Sequence, residues 1–278
     1  MSFSVAGSRF VITGAASGMG LLYARHAVAE GAAVVWLWDV NKKALAEVVQ
    51  ELSRIGVPNT VVYGDVVDLS SRTAIEKAAA KVIKKVGGAD VLINNAGVVR
   101  GALFWEHDNE AHTEKTMQVN ALAPMFATHE FLPGMMASQR ESRIVNVASA
   151  AGMLSNPRMS VYASSKWALI GWSDSLRLEL LRVGHRQVKV LTVAPSYIST
   201  GMFEGVRGPL MTPLMRPEYV VAKVWNAMIQ GRSMLMLPWT VHLSKVLKGV
   251  LPQRAFDWIA DNLFHVYNSM DKFTGRKG

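Results

Sequence analysis

Phe10-Val-Ile-Thr-Gly-Ala-Ala-Ser-Gly-Met-Gly20 is the stretch whose reading decides the fold. A short apolar run enters a loop with glycines at 14, 18 and 20. Leu21, Leu22, Ala24, Ala27 and Val28 then recur at helical spacing until Gly31. Strand, glycine turn and helix, in that order, suit the pyrophosphate of a dinucleotide. The helix start offers unpaired N–H groups and a partial positive charge. Gly14 permits a sharp turn, Gly18 lets backbone approach the phosphates, and Gly20 allows helix and strand to pack closely. Ser17 and Met19 complete the candidate binding loop. The spacing is G-x-x-x-G-x-G, not the better-known G-x-G-x-x-G.

Reading outward, Ala33-Val-Val-Trp-Leu-Trp38 predicts a buried second strand that ends at Asp39, nineteen residues past Gly20. A carboxylate there accepts hydrogen bonds from ribose hydroxyls and repels a 2′-phosphate, which favours NAD over NADP. Farther along, Ile144-Val-Asn-Val-Ala148 predicts a strand whose C-terminal end carries Ser149. In open α/β sheets ligands bind at that edge. Tyr162 and Lys166 are four residues apart, on one face of a predicted helix. A phenol titrates near ~10, and a neighbouring ammonium favours its ionised form. Tyr162 so tuned can exchange a proton with an alcohol or ketone oxygen while Ser149 donates to that oxygen.

These motifs together resemble the short-chain dehydrogenase/reductase family, from about Ser8 to about Leu237. Thr13–Gly20 matches the family's T-G-x-x-x-G-x-G loop. The resemblance implies that Asp65-Val66 contacts the adenine and that Asn94-Asn-Ala-Gly97 steadies the sheet and borders the cofactor, with Asn94, Ala96 and Gly97 at the site. It implies a catalytic set of Asn120, Ser149, Tyr162 and Lys166, with Lys166 also holding the nicotinamide ribose and Asn120 holding a relay water. Pro195-Ser-Tyr-Ile-Ser-Thr200 resembles the family's P-G-x-x-x-T segment, so Pro195, Ile198 and Thr200 are expected at the nicotinamide, with Ser196 in place of glycine. The fold so implied is a single-domain, doubly wound (Rossmann-type) parallel α/β sheet flanked by helices over residues 1–237, with a C-terminal helical extension over 238–278.

Composition agrees with one enzyme domain. Of 278 residues half are apolar, and strands alternate with helical stretches without a linker or repeat. The absence of cysteine excludes disulfides and thiolate metal sites, and no metal is expected from the scattered histidines. With no signal peptide legible, the expectation is a cytoplasmic protein. The net charge of +9 is scattered over the chain, and no nucleic-acid-reading module is visible.

Two stretches should set the substrate. Ser196 to Pro217 carries Met202, Gly205, Gly208, Met211 and Met215, where the family has a mobile lid. Thioethers adapt to irregular apolar shapes. With Met153 and Met159 they predict a pocket for a bulky hydrophobic or aromatic molecule, lined by Ser149, Met153, Met159, Tyr162, Ser196 and Met202. After Pro238 the tail reads as amphipathic helix, expected to pack on the core or on a neighbouring subunit in preference to a membrane surface. The tail's ending, Met270-Asp-Lys-Phe-Thr-Gly-Arg276, resembles family members that act on lipophilic alcohols. The expected activity is NAD-dependent interconversion of a secondary alcohol and a ketone by a homotetramer. A non-catalytic dinucleotide sensor or scaffold and a membrane-surface retinoid- or steroid-type dehydrogenase are the alternatives.

Overall fold

The computed structural model describes residues 3–55, 60–206, 208–210 and 212–275; Met211 and Arg276 lie outside them. Seven parallel strands form one sheet in the order β3-β2-β1-β4-β5-β6-β7. They are β1 Arg9–Thr13, β2 Val34–Asp39, β3 Val61–Val66, β4 Val91–Asn94, β5 Ser142–Val147, β6 Val188–Pro195 and β7 Met234–Leu237. Alternation along each strand sorts side chains to two faces. Phe10, Ile12, Val35, Leu37, Ile93, Val145 and Val193 face α1 (Gly18–Ala29), α2 (Lys42–Ile55) and α7 (Pro217–Ile229). Their neighbours Val11, Trp36, Trp38, Leu92, Ile144 and Val190 meet α3 (Arg72–Val86), α5 (Ala123–Ala137) and α6 (Ser160–Arg182). The near-continuous apolar reading of these strands follows from burial on both sides.

Before α5 the chain winds through two π-helical segments, Asn109–Glu114 and Gln118–Leu122, separated by a single turn, α4 (Lys115–Met117). After β7 come α8 (Trp239–Val250), α9 (Gln253–Trp258) and a π turn at Ile259–Leu263. Strand order reverses between β1 and β4, so the loops after those strands flank a crevice at the C-terminal edge of the sheet. Arg9 and Asp90 tie the opposite end of the same two strands. Two guanidinium bonds, 3.0 and 2.8 Å, and one backbone N–H at 2.8 Å reach the nearly inaccessible carboxylate.

Candidate active site

The glycine loop leaves β1 and enters α1 where the crevice opens. A Cβ on Gly20 would drive into the Gly14 carbonyl oxygen and stand 2.8 Å from Asn95 Nδ2, so only glycine lets the helix start this close to the turn. Gly18 has φ +55° and meets nothing nearer than the Thr200 side chain, at 3.7 Å from a would-be Cβ. The loop is pinned from β4. Asn95 Nδ2 donates to the carbonyls of Thr13 (3.0 Å) and Gly14 (3.3 Å), and the N–H groups of Asn95 and Ala96 donate to Thr13 Oγ1. Asn95 and Thr13 were not among the expected site residues, although both belong to the quoted motifs. Asp39 stands at the end of β2, its carboxylate accepting from the N–H groups of Ala16 and Asn41, both 2.9 Å away. Val66 is its register partner on β3.

Two residues expected at the cofactor, Asp65 and Asn94, have their side chains engaged within the fold. Asp65 does not follow a strand but lies within β3, and its carboxylate is taken by Trp36 Nε1 (2.8 Å) and by Lys81 of α3. It is thus committed to the α3 side of the sheet. The Asn94 amide joins β4 to β5, donating to Asn146 Oδ1 at 2.8 Å and to Thr128 Oγ1 at 3.3 Å, so it steadies the sheet as expected and spends both amide hydrogens there. Gly97 does reach the site, because a Cβ there would stand 3.3 Å from Asn120 Oδ1 and 3.6 Å from Lys166 Nζ. Pro195 ends β6, and Ile198 bridges to Met215, which sets Thr200 beside Gly18.

The four expected catalytic residues converge. Ser149 follows β5 and caps a 3₁₀ turn, Ala150–Gly152, its hydroxyl accepting from the Ala151 N–H at 3.2 Å. Tyr162 and Lys166 share one face of α6, with Lys166 Nζ 5.7 Å from the phenol ring centroid. Both are almost wholly buried, and burial governs their titration. Desolvation pushes Tyr162 up to about 12, a hydrogen bond with Ser149 works against it, and nearby Tyr197 adds to the rise. Burial likewise lowers Lys166 to about 8. The expected depression of the phenol by its neighbouring cation is therefore overturned for the chain by itself. The ammonium lies against the ring face and donates to the Val147 carbonyl at 2.9 Å, and desolvation of the phenolate outweighs its field.

Asn120 is fully buried in the second π segment. Its Oδ1 accepts from the Val98 N–H at 2.8 Å, and its Nδ2 donates to the Val98 carbonyl (2.8 Å) and to Ser165 Oγ (3.1 Å). Both amide hydrogens are spent, so the side chain is a brace.

An apolar cavity opens from Ser149 and Ser196 past Met159, Tyr197 and Phe203 toward α8 and the last helical turns. Phe203 stands edge-on to Tyr162 (6.0 Å, 83°) and to Tyr197 (5.3 Å, 76°). Three expected pocket residues do not line the cavity, and one of them, Tyr162, meets it only through Met159 and Phe203. Met153 packs with Ala150, Ala194 and Val241 behind the wall, and the half-buried Met202 yields its place to Phe203. The tail contributes Phe264, Val266 and Tyr267, none of them expected at the pocket.

The model of short chain dehydrogenases matches residues 9–209, which is most of the chain. The chain belongs to the short-chain dehydrogenase family. Among the relatives of this dehydrogenase is the Epidermal retinol dehydrogenase 2 of Mus musculus, 36% identical over 276 residues, covering 99% of this chain and 87% of the relative. Estradiol 17-beta-dehydrogenase 11 of Rattus norvegicus is 37% identical over 255 residues, covering 91% and 83%. A short-chain dehydrogenase/reductase from Burkholderia phymatum, solved with NAD, superposes with a TM-score of 0.80 at 25% identity, covering 89% of this chain and 94% of the other. A metagenomic short-chain oxidoreductase solved with NADP gives 0.69 at 29% identity, covering 84% and 96%. Structural neighbours of this dehydrogenase thus take either nicotinamide dinucleotide.

Proposed function

We propose that this dehydrogenase interconverts a secondary alcohol and a ketone on a bulky hydrophobic molecule, with NAD(H) as coenzyme and Tyr162 as the acid/base. The observation that carries the reading is the convergence of Ser149, Tyr162 and Lys166, with an apolar cavity opening from Ser149 and from Met159 and Phe203, which pack with Tyr162. The crevice suits a dinucleotide: the loop is drawn tight by Asn95, side-chain-free at Gly18, and faced by a carboxylate at Asp39. Bound there, the dinucleotide would supply the hydride acceptor or donor.

The residues divide the remaining work. Ser149 hydrogen-bonds the substrate oxygen and the phenol, holding the two in line for proton transfer. Tyr162 Oη gives its proton to a ketone oxygen or takes one from an alcohol. Lys166, still largely protonated at neutral pH, faces the ring and stabilises the phenolate as it forms. Phe203, Met159 and the tail keep water from the reacting oxygen. Asp39 supports NAD over NADP because a 2′-phosphate would face its carboxylate.

The apolar lining and the printed activities of the relatives favour retinoid- or steroid-sized alcohols within this class. Exposed Trp167, Leu178 and Leu181 on α6 support assembly through that helix into the homotetramer. The test is a panel of hydrophobic secondary alcohols with NAD and NADP, followed at the reduced-nicotinamide absorbance. Turnover with NAD and a strong bias against NADP is expected. Failure with every alcohol and ketone would remove the activity, and equal use of NADP would remove the role of Asp39.

A further inference from the structure

The last described residues return to the catalytic tyrosine. Met270 is 1% exposed, in one cluster with Tyr162, Met159, Tyr197 and Val206, and Phe203 and Phe273 pack against it. Ser269 Oγ is 2.9 Å from Tyr197 Oη and accepts from Asn156 Nδ2, also at 2.9 Å. Beyond Met270 the tail grips two loops. A Cβ on Gly101 would enter the Phe273 ring, and one on Gly205 would enter the Lys272 carbonyl oxygen. The Thr274 N–H donates to the Glu204 carbonyl at 2.9 Å, and the Gly275 N–H donates to it at 3.3 Å. One short segment thus fastens the 98–101 loop, the 156–159 loop and the 197–206 segment, which together frame the phenol.

We propose that Ser269–Thr274 is a latch that holds the substrate lid shut over the catalytic centre, and that its Met270 is a positioning residue for Tyr162. The proposal rests on the reading of Tyr162 as the acid/base. Met270 is buried in one cluster with Tyr162, Tyr197 and Met159, where its thioether limits how far the phenol can swing and keeps water off it. Glycine at 101 and 205 is what lets the strap lie flat on the two loops. Release of the Glu204 bonds frees the lid for substrate exchange without unfolding the sheet, because every latch contact named here lies outside the strands.

The test compares Met270→Ala, Met270→Leu and a chain ending at Asp271. Hydrogen exchange at residues 198–206 is read by mass spectrometry, and kcat is read per NADH-binding site. In the shortened chain, amides of 198–206 exchange on the order of tenfold faster or more, while strand amides keep their protection. In Met270→Ala, kcat falls on the order of tenfold to a hundredfold with NADH affinity unchanged, since a small misplacement of a reacting group is costly. The same variant shifts the acid limb of alcohol oxidation to lower pH as water reaches the phenol, and Met270→Leu restores both. A merely structural methionine would lower thermal stability and leave kcat per site and the pH limb alone. Wild-type exchange at 198–206 in the shortened chain overturns the latch, and an unchanged kcat and pH limb in Met270→Ala overturn the positioning role. The exchange arm needs no substrate, so it stands even where no alcohol is turned over.

Discussion

Replacing Gly20 by alanine puts the coenzyme loop to a quantitative test. The added methyl would overlap the Gly14 carbonyl oxygen and stand 2.8 Å from both the Gly14 carbonyl carbon and Asn95 Nδ2, where unstrained contacts need about 3.5–4.0 Å. Neither neighbour is a free side-chain end: one is backbone and the other is bonded to two carbonyls. The turn must therefore move by roughly 1 Å, a shift of the overpacking kind that costs about 1–3 kcal/mol. For a domain of this size that is a Tm loss of roughly 2–12 °C. Gly18→Ala is the control. Its methyl has open room, with Thr200 at 3.7 Å, and the only penalty is the left-handed backbone, about 1 kcal/mol. Thermal melts of the coenzyme-free protein, paired with NADH fluorescence titrations, separate the two. Gly20→Ala should fail first in stability, and Gly18→Ala first in binding, because the new methyl occupies the approach to the phosphates. A Gly20→Ala protein with wild-type Tm and NADH affinity would refute the reasoning.

Arg9→Met leaves the inaccessible Asp90 carboxylate with only the backbone bond and the more distant Arg140, 3.8 Å away, and should cost about 3–5 kcal/mol in urea unfolding. Burial pushes Asp90 up, but the bonds and charge of Arg9 hold it below the ordinary carboxylate range. That stability is present at neutral pH and lost on acidification, so the variant should acid-unfold at higher pH than the wild type. Lys166 gives the same slope in a higher pH window, since its folded pKa of about 8 also lies below its ordinary value, 10.5, but here the buried charge is a cost at neutral pH. Stability of the coenzyme-free protein should rise from pH 8 toward 10 and fade as pH drops through that window. Lys166→Met should flatten this part of the profile; a profile with the same slope would contradict it. Alcohol oxidation should rise with pH through the neutral range, because it needs the phenolate of a group held at about 12, while ketone reduction stays flat there.

The sequence carried the site wherever chemistry is local. Gly14 to Gly20, Asp39, Ser149 and the Tyr162–Lys166 spacing each sit at the end of a strand or on one helix face, so order along the chain implies position in the crevice. It was silent where side-chain direction depends on a distant partner. Asp65 turns to Trp36 across the sheet and to Lys81 on the next helix, and Asn94 turns to Asn146 on β5. Neither partner is marked in the motif. Met153 and Met202 were read as pocket walls on composition, but which side of a loop faces the cavity is decided by packing against Val241 and Tyr162. The tail shows this at its strongest, because Ser269 meets Asn156 across more than a hundred residues. The field at Tyr162 was also misjudged from spacing: neighbouring charge is legible in i, i+4, whereas the desolvation that outweighs it belongs to the whole fold.

Tyr162→Phe removes one oxygen and keeps the ring that packs on Phe203 and Met270. Measured side by side, NADH binding should stay at the wild-type value, and turnover of a hydrophobic secondary alcohol should fall by at least ~10²-fold, the share that general acid–base catalysis supplies. Turnover within a fewfold of wild type, with the coenzyme bound, would contradict the assignment of Tyr162 as the group that moves the proton.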